Sequence, residues 1–219
     1  MLELSGHPGQ NIFLSNVFIV VGGFLYSFFF RVRIESDHAI PDDGPVLILS
    51  KHWTLADVPL GKIAVTKDSG RHLWCVMKDS LAKPPFGWFL LRQGGIPINR
   101  TNPEKSKVDL LLARNVLHDG QMLCIYPEQT IVPNKMGRGR LPGFRFIVGK
   151  PKTPLAIGFR YTKRRFRRTL VDIKIGSPRA FTKGDDHAEF LHERMHEIAR
   201  RSDMTYPHAQ AKAGTEPLD

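Results

Sequence analysis

Pro45-Val46-Leu47-Ile48-Leu49-Ser50-Lys51-His52-Trp53-Thr54-Leu55-Ala56-Asp57 runs from apolar residues into a histidine and an acidic residue. The run from Pro45 to Leu49, after a Gly-Pro break, reads as a buried strand that delivers His52 at its carboxyl end. Five positions separate His52 from Asp57. On a regular helix that offset turns through about 500°, so the two would share no face. The pairing works if His52 precedes a helix and Asp57 lies in its first turn. Thr54 as N-cap with Asp57 three residues on is a capping-box arrangement, and Pro59 is tolerated only in a first turn. Taken alone, the segment reads in two ways. Either His52 is a base that Asp57 orients, or Asp57 merely caps a helix beside a loop histidine.

Outward from this segment, short apolar runs alternate with helical periods. Residues 73–77, 95–99, 122–126, 153–161 and 171–175 read as strands. Residues 105–118 place Val108, Leu111, Leu112, Val116 and Leu117 at helical spacing and stop at Asp119-Gly120. Residues 186–201 predict a second helix with Phe190, Leu191, Met195, Ile198 and Ala199 inward. Such alternation implies an α/β fold, a mixed central sheet flanked by helices, with its site at the strands' carboxyl ends. A chain of 219 residues fits one sizeable domain. The expected boundaries are an N-terminal apolar segment over 1–33, a single domain over 34–205 and a flexible tail over 206–219.

Residues 12–30 carry no charge, and Ile, Phe, Leu and Val dominate them. Their length is borderline for a span, which needs about 20 mostly apolar residues. With no Lys or Arg ahead of the run, a cleaved signal peptide is disfavoured. The reading is a membrane-associating helix, spanning or lying in the interface, rather than a buried core helix. Arg31 and Arg33 follow at once, which would place the remainder on the cytoplasmic side if the segment spans. The formal charge of +11 favours an anionic partner, and an anionic membrane surface suits the apolar N-terminus better than nucleic acid, which is not expected. Cys75 and Cys124 sit in apolar runs without metal-ligand spacing, as buried thiols do.

Two further segments follow in order: Gly94-Gly95-Ile96-Pro97-Ile98-Asn99-Arg100 and Tyr126-Pro127-Glu128-Gln129-Thr130. With His52-Trp-Thr-Leu-Ala-Asp57 ahead and Thr153-Pro154-Leu155-Ala156-Ile157 behind, the chain resembles the lysophospholipid acyltransferase superfamily. It is similar in particular to the 1-acylglycerol-3-phosphate acyltransferases, from about residue 45 to 176. The resemblance implies acyl transfer from acyl-coenzyme A or acyl carrier protein, as co-substrate, to a lipid hydroxyl, with no further cofactor and no metal. It implies that His52 is the general base and Asp57 its orienting partner. Imidazole changes charge near neutral pH, which suits removal of a hydroxyl proton. Arg100 would hold the acceptor's phosphate, for which a planar fork of donors is apt. Gly95 would allow close backbone approach, and Glu128, Thr130 and Pro154 complete the implied substrate-binding set. Gln129 departs from the family's glycine and is expected to alter the turn. Ile131 replaces a common cation, which points away from a phosphorylated acceptor, although Lys135, Arg138, Arg140 and Arg145 follow.

Two other patterns compete. His192-Glu193-Arg194-Met195-His196 matches the zinc-hydrolase spacing, with Glu193 as base, but charged Arg194 does not suit a buried catalytic helix, and Ser202 stands where the extended motif has a histidine. A solvated polar face is the better account. Lys163-Arg164-Arg165-Phe166-Arg167-Arg168 reads as the tip between two strands. It fits anionic lipid headgroups, an acidic carrier protein, a nucleic acid or plain solvation, and would be the working surface of a non-catalytic adaptor.

Overall fold

The computed structural model describes residues 7–99, 102–148 and 153–209. Its strands are β1 (Phe30–Ser36), β2 (Val46–Ser50), β3 (Leu73–Lys78), β4 (Gly95–Ile98), β5 (Met122–Ile125), β6 (Thr153–Arg164) and β7 (Arg167–Ile175). They form one sheet in the order β1-β7-β6-β2-β5-β3-β4. From β6 to β4 the neighbours are parallel. The β6–β7 hairpin reverses direction, and β1 pairs in parallel with β7 at the edge. Every residue of β2 is buried, as a continuous apolar run in a central parallel strand requires.

Alternation along β2 divides the core. Leu47 and Leu49 face α5 (Pro103–His118), α6 (Leu141–Val148) and α7 (His187–Arg201), meeting Leu117, Phe144 and Phe190. Val46 and Ile48 face the opposite layer, where Leu60 and Ala64 of α3 (Asp57–Ser69) pack on them. The predicted helices and strands are thus present. The short α4 (Gly87–Arg92) and α6 carry too few turns to show a period, and α5 starts earlier than expected because Asn102 caps it with Pro103 in its first turn.

The apolar N-terminal run forms α1 (Ile12–Val17) and α2 (Gly23–Phe29), continuous through a π-helical stretch at Phe18–Gly22. Its mean hydropathy is 2.0 and its length suffices for a membrane span. Ser15, Ile19 and Gly22 dock on the domain, while Phe13, Val20, Phe24 and Phe28 point to solvent. Both ends are tied down. Asn11 N donates to Arg92 O at 2.8 Å, and Phe29 runs directly into β1.

The expected boundary between residues 33 and 34 therefore falls inside a sheet strand. Arg31, Arg33 and Glu35 alternate with Val32 and Ile34, the period-two pattern of an edge strand, and the uncharged run before them masked it. Of the segment expected as a tail, residues 206–209 are described. Tyr206 is buried and its hydroxyl accepts from Gly139 N at 3.1 Å, while His208 Nε2 donates to Met136 O at 3.0 Å. Residues 210–219 lie outside the described residues.

Candidate active site

β2 ends at Ser50, and the next two residues leave the sheet edge on different errands. His52 turns its ring over Tyr126, at 4.4 Å between centroids, and its Nδ1 lies 3.3 Å from Asp57 Oδ2. Asp57 is sealed from solvent. A buried carboxylate requires donors, and this one has several besides the imidazole. Trp53 N and Thr54 N donate to Oδ2 at 2.5 and 2.6 Å, and the Tyr161 hydroxyl donates to Oδ1 at 2.5 Å. Burial, reinforced by the Asp57 charge, pushes the Tyr161 phenol far up, so it stays protonated and a donor.

The local turn differs from the expected capping box in one respect. The Thr54 hydroxyl accepts from Ala56 N at 2.8 Å, and Ala56, not Thr54, is the N-cap of α3. Asp57 does reach back to Thr54 N as the box requires. The carboxylate therefore both ties down the turn and faces the ring. With Nδ1 on Asp57, Nε2 is the nitrogen the ring can offer to a substrate.

Lys51 goes the other way, inward. Its ammonium is buried and donates to Glu128 Oε1 and Oε2 at 2.9 and 3.0 Å and to Val132 O at 2.6 Å. Burial pulls the Lys51 ammonium below the usual lysine range, and Glu128 opposes that pull. Glu128 in turn accepts from His52 N at 2.9 Å and from Gly137 N at 2.5 Å. Val132 N closes the loop by donating to His52 O at 2.8 Å. The backbone of the candidate base is thus held by an ion pair reaching across from the end of β5.

The sequence-predicted residues divide accordingly. His52 and Asp57 meet. Thr130 is exposed on the segment that reaches Val132 beside His52, so it lies at the rim. Glu128 is close but turned inward. Its carboxylate is buried and engaged with Lys51, His52 N and Gly137 N, and it braces the His52 backbone. Gly95 is not brought to the site. It lies level with Cys75, Cys124 and Ile48, four residues or about 13 Å of strand short of His52. A Cβ there would sit 2.8 Å from Leu90 O and from Met77 Sδ, so packing demands the glycine. Pro154 pairs with Leu47 deep in the sheet and is likewise remote. Arg100 lies outside the described residues.

Gln129, where an altered turn was expected, adopts a backbone conformation that glycine favours. Its φ is 57°, in the left-handed region that favours glycine, and its N–H still donates to Tyr126 O at 2.9 Å. Lys51, Tyr126 and Tyr161 were not singled out from sequence. Lys51 stood inside the quoted motif, and only its position beside His52 hinted at a role. A cavity of 860 Å³ lies beyond the brace, between residues 132–137 and 203–208, and neither His52 nor Asp57 is in its lining. The zinc-like pair lies elsewhere, on α7. His192 Nε2 and His196 Nε2 are 3.2 Å apart against Tyr206, and Glu193 is ion-paired with Arg179.

A family model described as Acyltransferase matches residues 31–174, well over half of the chain. The chain belongs to that acyltransferase family. Its fold is similar to the crystal structure of the 1-acyl-sn-glycerophosphate (LPA) acyltransferase PlsC from Thermotoga maritima. That match has a TM-score of 0.66 at 18% identity, covering 85% of this chain and 77% of the other. No curated protein sequence matches the chain.

Proposed function

We propose that the chain is a membrane-apposed O-acyltransferase that moves a fatty acyl group from a thioester donor to the hydroxyl of a lysophospholipid. The donor is acyl-coenzyme A or acyl carrier protein. The observation that carries the reading is the His52 Nδ1 to Asp57 Oδ2 approach of 3.3 Å at the carboxyl end of a central strand. In this scheme His52 Nε2 removes the acceptor hydroxyl proton as the oxygen attacks the thioester carbon. The sealed Asp57 carboxylate holds the ring's tautomer and stabilises the imidazolium. Collapse of the tetrahedral adduct breaks the carbon–sulfur bond, and the imidazolium returns its proton to the departing thiolate. The ester product, free thiol and neutral imidazole balance the step.

Acceptor class follows the similarity to a protein named for acyl transfer to 1-acyl-sn-glycerophosphate. Arg100 is proposed to hold the acceptor's phosphate. Ile131 supplies no cation at the rim, so the acceptor set includes lysophospholipids other than lysophosphatidic acid. Apposition to the membrane is supported by the helix Ile12–Phe29. With both ends tied to the domain and one side docked, it suits lying in the interface with Phe13, Val20, Phe24 and Phe28 in the lipid. The reading is tested by incubating the protein with a lipid extract and labelled acyl-coenzyme A or acyl carrier protein, with products identified by mass spectrometry. A labelled diacyl phospholipid is expected; label confined to free fatty acid or to the protein itself would overturn the reading.

A further inference from the structure

The β6–β7 hairpin ends in a two-residue turn, Arg165-Phe166, that carries an unusual combination of side chains. Phe166 is 93% exposed, at a φ of 59°. Lys163, Arg165, Arg167 and Arg168 are exposed around it. Among the described residues none of Lys163, Arg164, Arg165 and Arg167 is ion-paired. Arg165 stacks over the Phe166 ring at 5.1 Å, so the tip presents an exposed aromatic ring among cations that have no carboxylate partner.

The tip does not stand apart from the apolar helix. β1 begins beside it, with Phe30 in register with Thr169, so the carboxyl end of α2 arrives at the same edge. Arg168 Nη1 donates to Ser27 O at 2.9 Å, linking the hairpin to the last turn of that helix. Phe28 and Phe29 are 60% and 70% exposed there. Beyond the cations, the surface therefore carries the exposed aromatic side chains Phe166, Phe28 and Phe29. The same edge of the sheet carries the site, since Tyr161, three residues before Arg164, reaches Asp57.

We infer that the hairpin tip is a second membrane anchor, specific for anionic phospholipid headgroups, with Phe166 entering the acyl boundary between them. A bilayer buries Phe166, Phe28 and Phe29 together without shape complementarity and supplies the negative charge that Arg164, Arg165 and Arg167 lack. An acidic protein would have to provide a matching apolar face as well. The inference rests on the membrane-apposed reading of the N-terminal helix and is independent of the chemistry at His52.

Co-sedimentation of the full chain with vesicles tests it. One set is phosphatidylcholine alone and the other contains about one-third phosphatidylglycerol, in low and high salt. The wild type is expected to prefer the anionic vesicles, and high salt is expected to remove the preference. The triple variant R164Q/R165Q/R167Q should lose binding to anionic vesicles on the order of 100-fold, at about tenfold or less per cation. It should keep the wild-type affinity for neutral vesicles and the wild-type melting temperature. Phe166→Ser should weaken binding to both sets. Equal binding of the wild type to both vesicle types would overturn the inference alone. So would a triple variant that keeps anionic binding while losing affinity for an acidic acyl carrier protein. A wild type that binds neither set would overturn the membrane-apposed reading as well.

Discussion

Lys51 Nζ lies 2.9 Å from Glu128 Oε1, and the two side chains are 0% and 1% exposed. They are 77 residues apart in the chain, and between them they position the His52 backbone, Val132 and Gly137. Removing one member of such a pair leaves a charge buried without its partner. Lys51→Met and Glu128→Gln are each expected to cost about 3–5 kcal/mol. The double variant should recover part of that loss, because no unpaired charge remains. Denaturant titrations of the four proteins check this; strictly additive losses would contradict the brace.

Tyr161 is expected to matter through Asp57. Tyr161→Phe removes one donor from a sealed carboxylate and should cost about 1.5–3 kcal/mol of stability, the range for hydrogen bonds to charged groups. The maximal turnover rate should fall while KM for the thioester stays near the wild-type value, since the hydroxyl is engaged with Asp57 and not with substrate. A changed KM at unchanged kcat would place Tyr161 against the substrate instead.

Lys62 supplies a pH signature. Its ammonium is buried under α1, donating to Gln93 O and lying 3.5 Å from Ser15 Oγ, and burial lowers its pKa to about 8. A lysine with a lowered folded-state pKa carries more protons unfolded than folded between that value and its ordinary one near 10.5. Stability should therefore rise as pH climbs from about 8 to 10.5, by about 3 kcal/mol for this group. Lys62→Met should remove that rise. An unchanged slope in the variant would contradict the assignment.

Gly95 separates packing from binding. Gly95→Ala forces a methyl to within 2.8 Å of Leu90 O and Met77 Sδ, and is expected to cost about 1–3 kcal/mol of stability. The folded fraction should keep the wild-type KM for both substrates. A KM effect without a fall in melting temperature would return Gly95 to the substrate-binding set.

These residues also mark what was legible in the chain. β2 and its histidine were readable because a buried strand is a continuous apolar run and the residues that follow must leave the sheet at its carboxyl end. The His52–Asp57 approach was readable because five residues around a helix start bring the two side chains together locally. Tyr161 was not, since it reaches Asp57 from 104 residues away by the register of β6. The Lys51–Glu128 pair was hidden for the same reason. β1 was absorbed into the apolar run before it, although Arg31, Arg33 and Glu35 alternate as an edge strand does. Gly95 and Pro154 were picked out by their motifs, and their register positions, level with Ile48 and Leu47 of β2, could not be read from those motifs.

The most direct test of the central claim compares thiol release from the acyl donor, in the presence of the lipid acceptor, by wild-type and His52→Ala protein of equal helicity and melting temperature. General-base removal of the acceptor proton by His52 predicts a loss of about 10²–10⁴-fold in kcat. A His52→Ala enzyme that transfers acyl groups within a few-fold of the wild-type rate would contradict it.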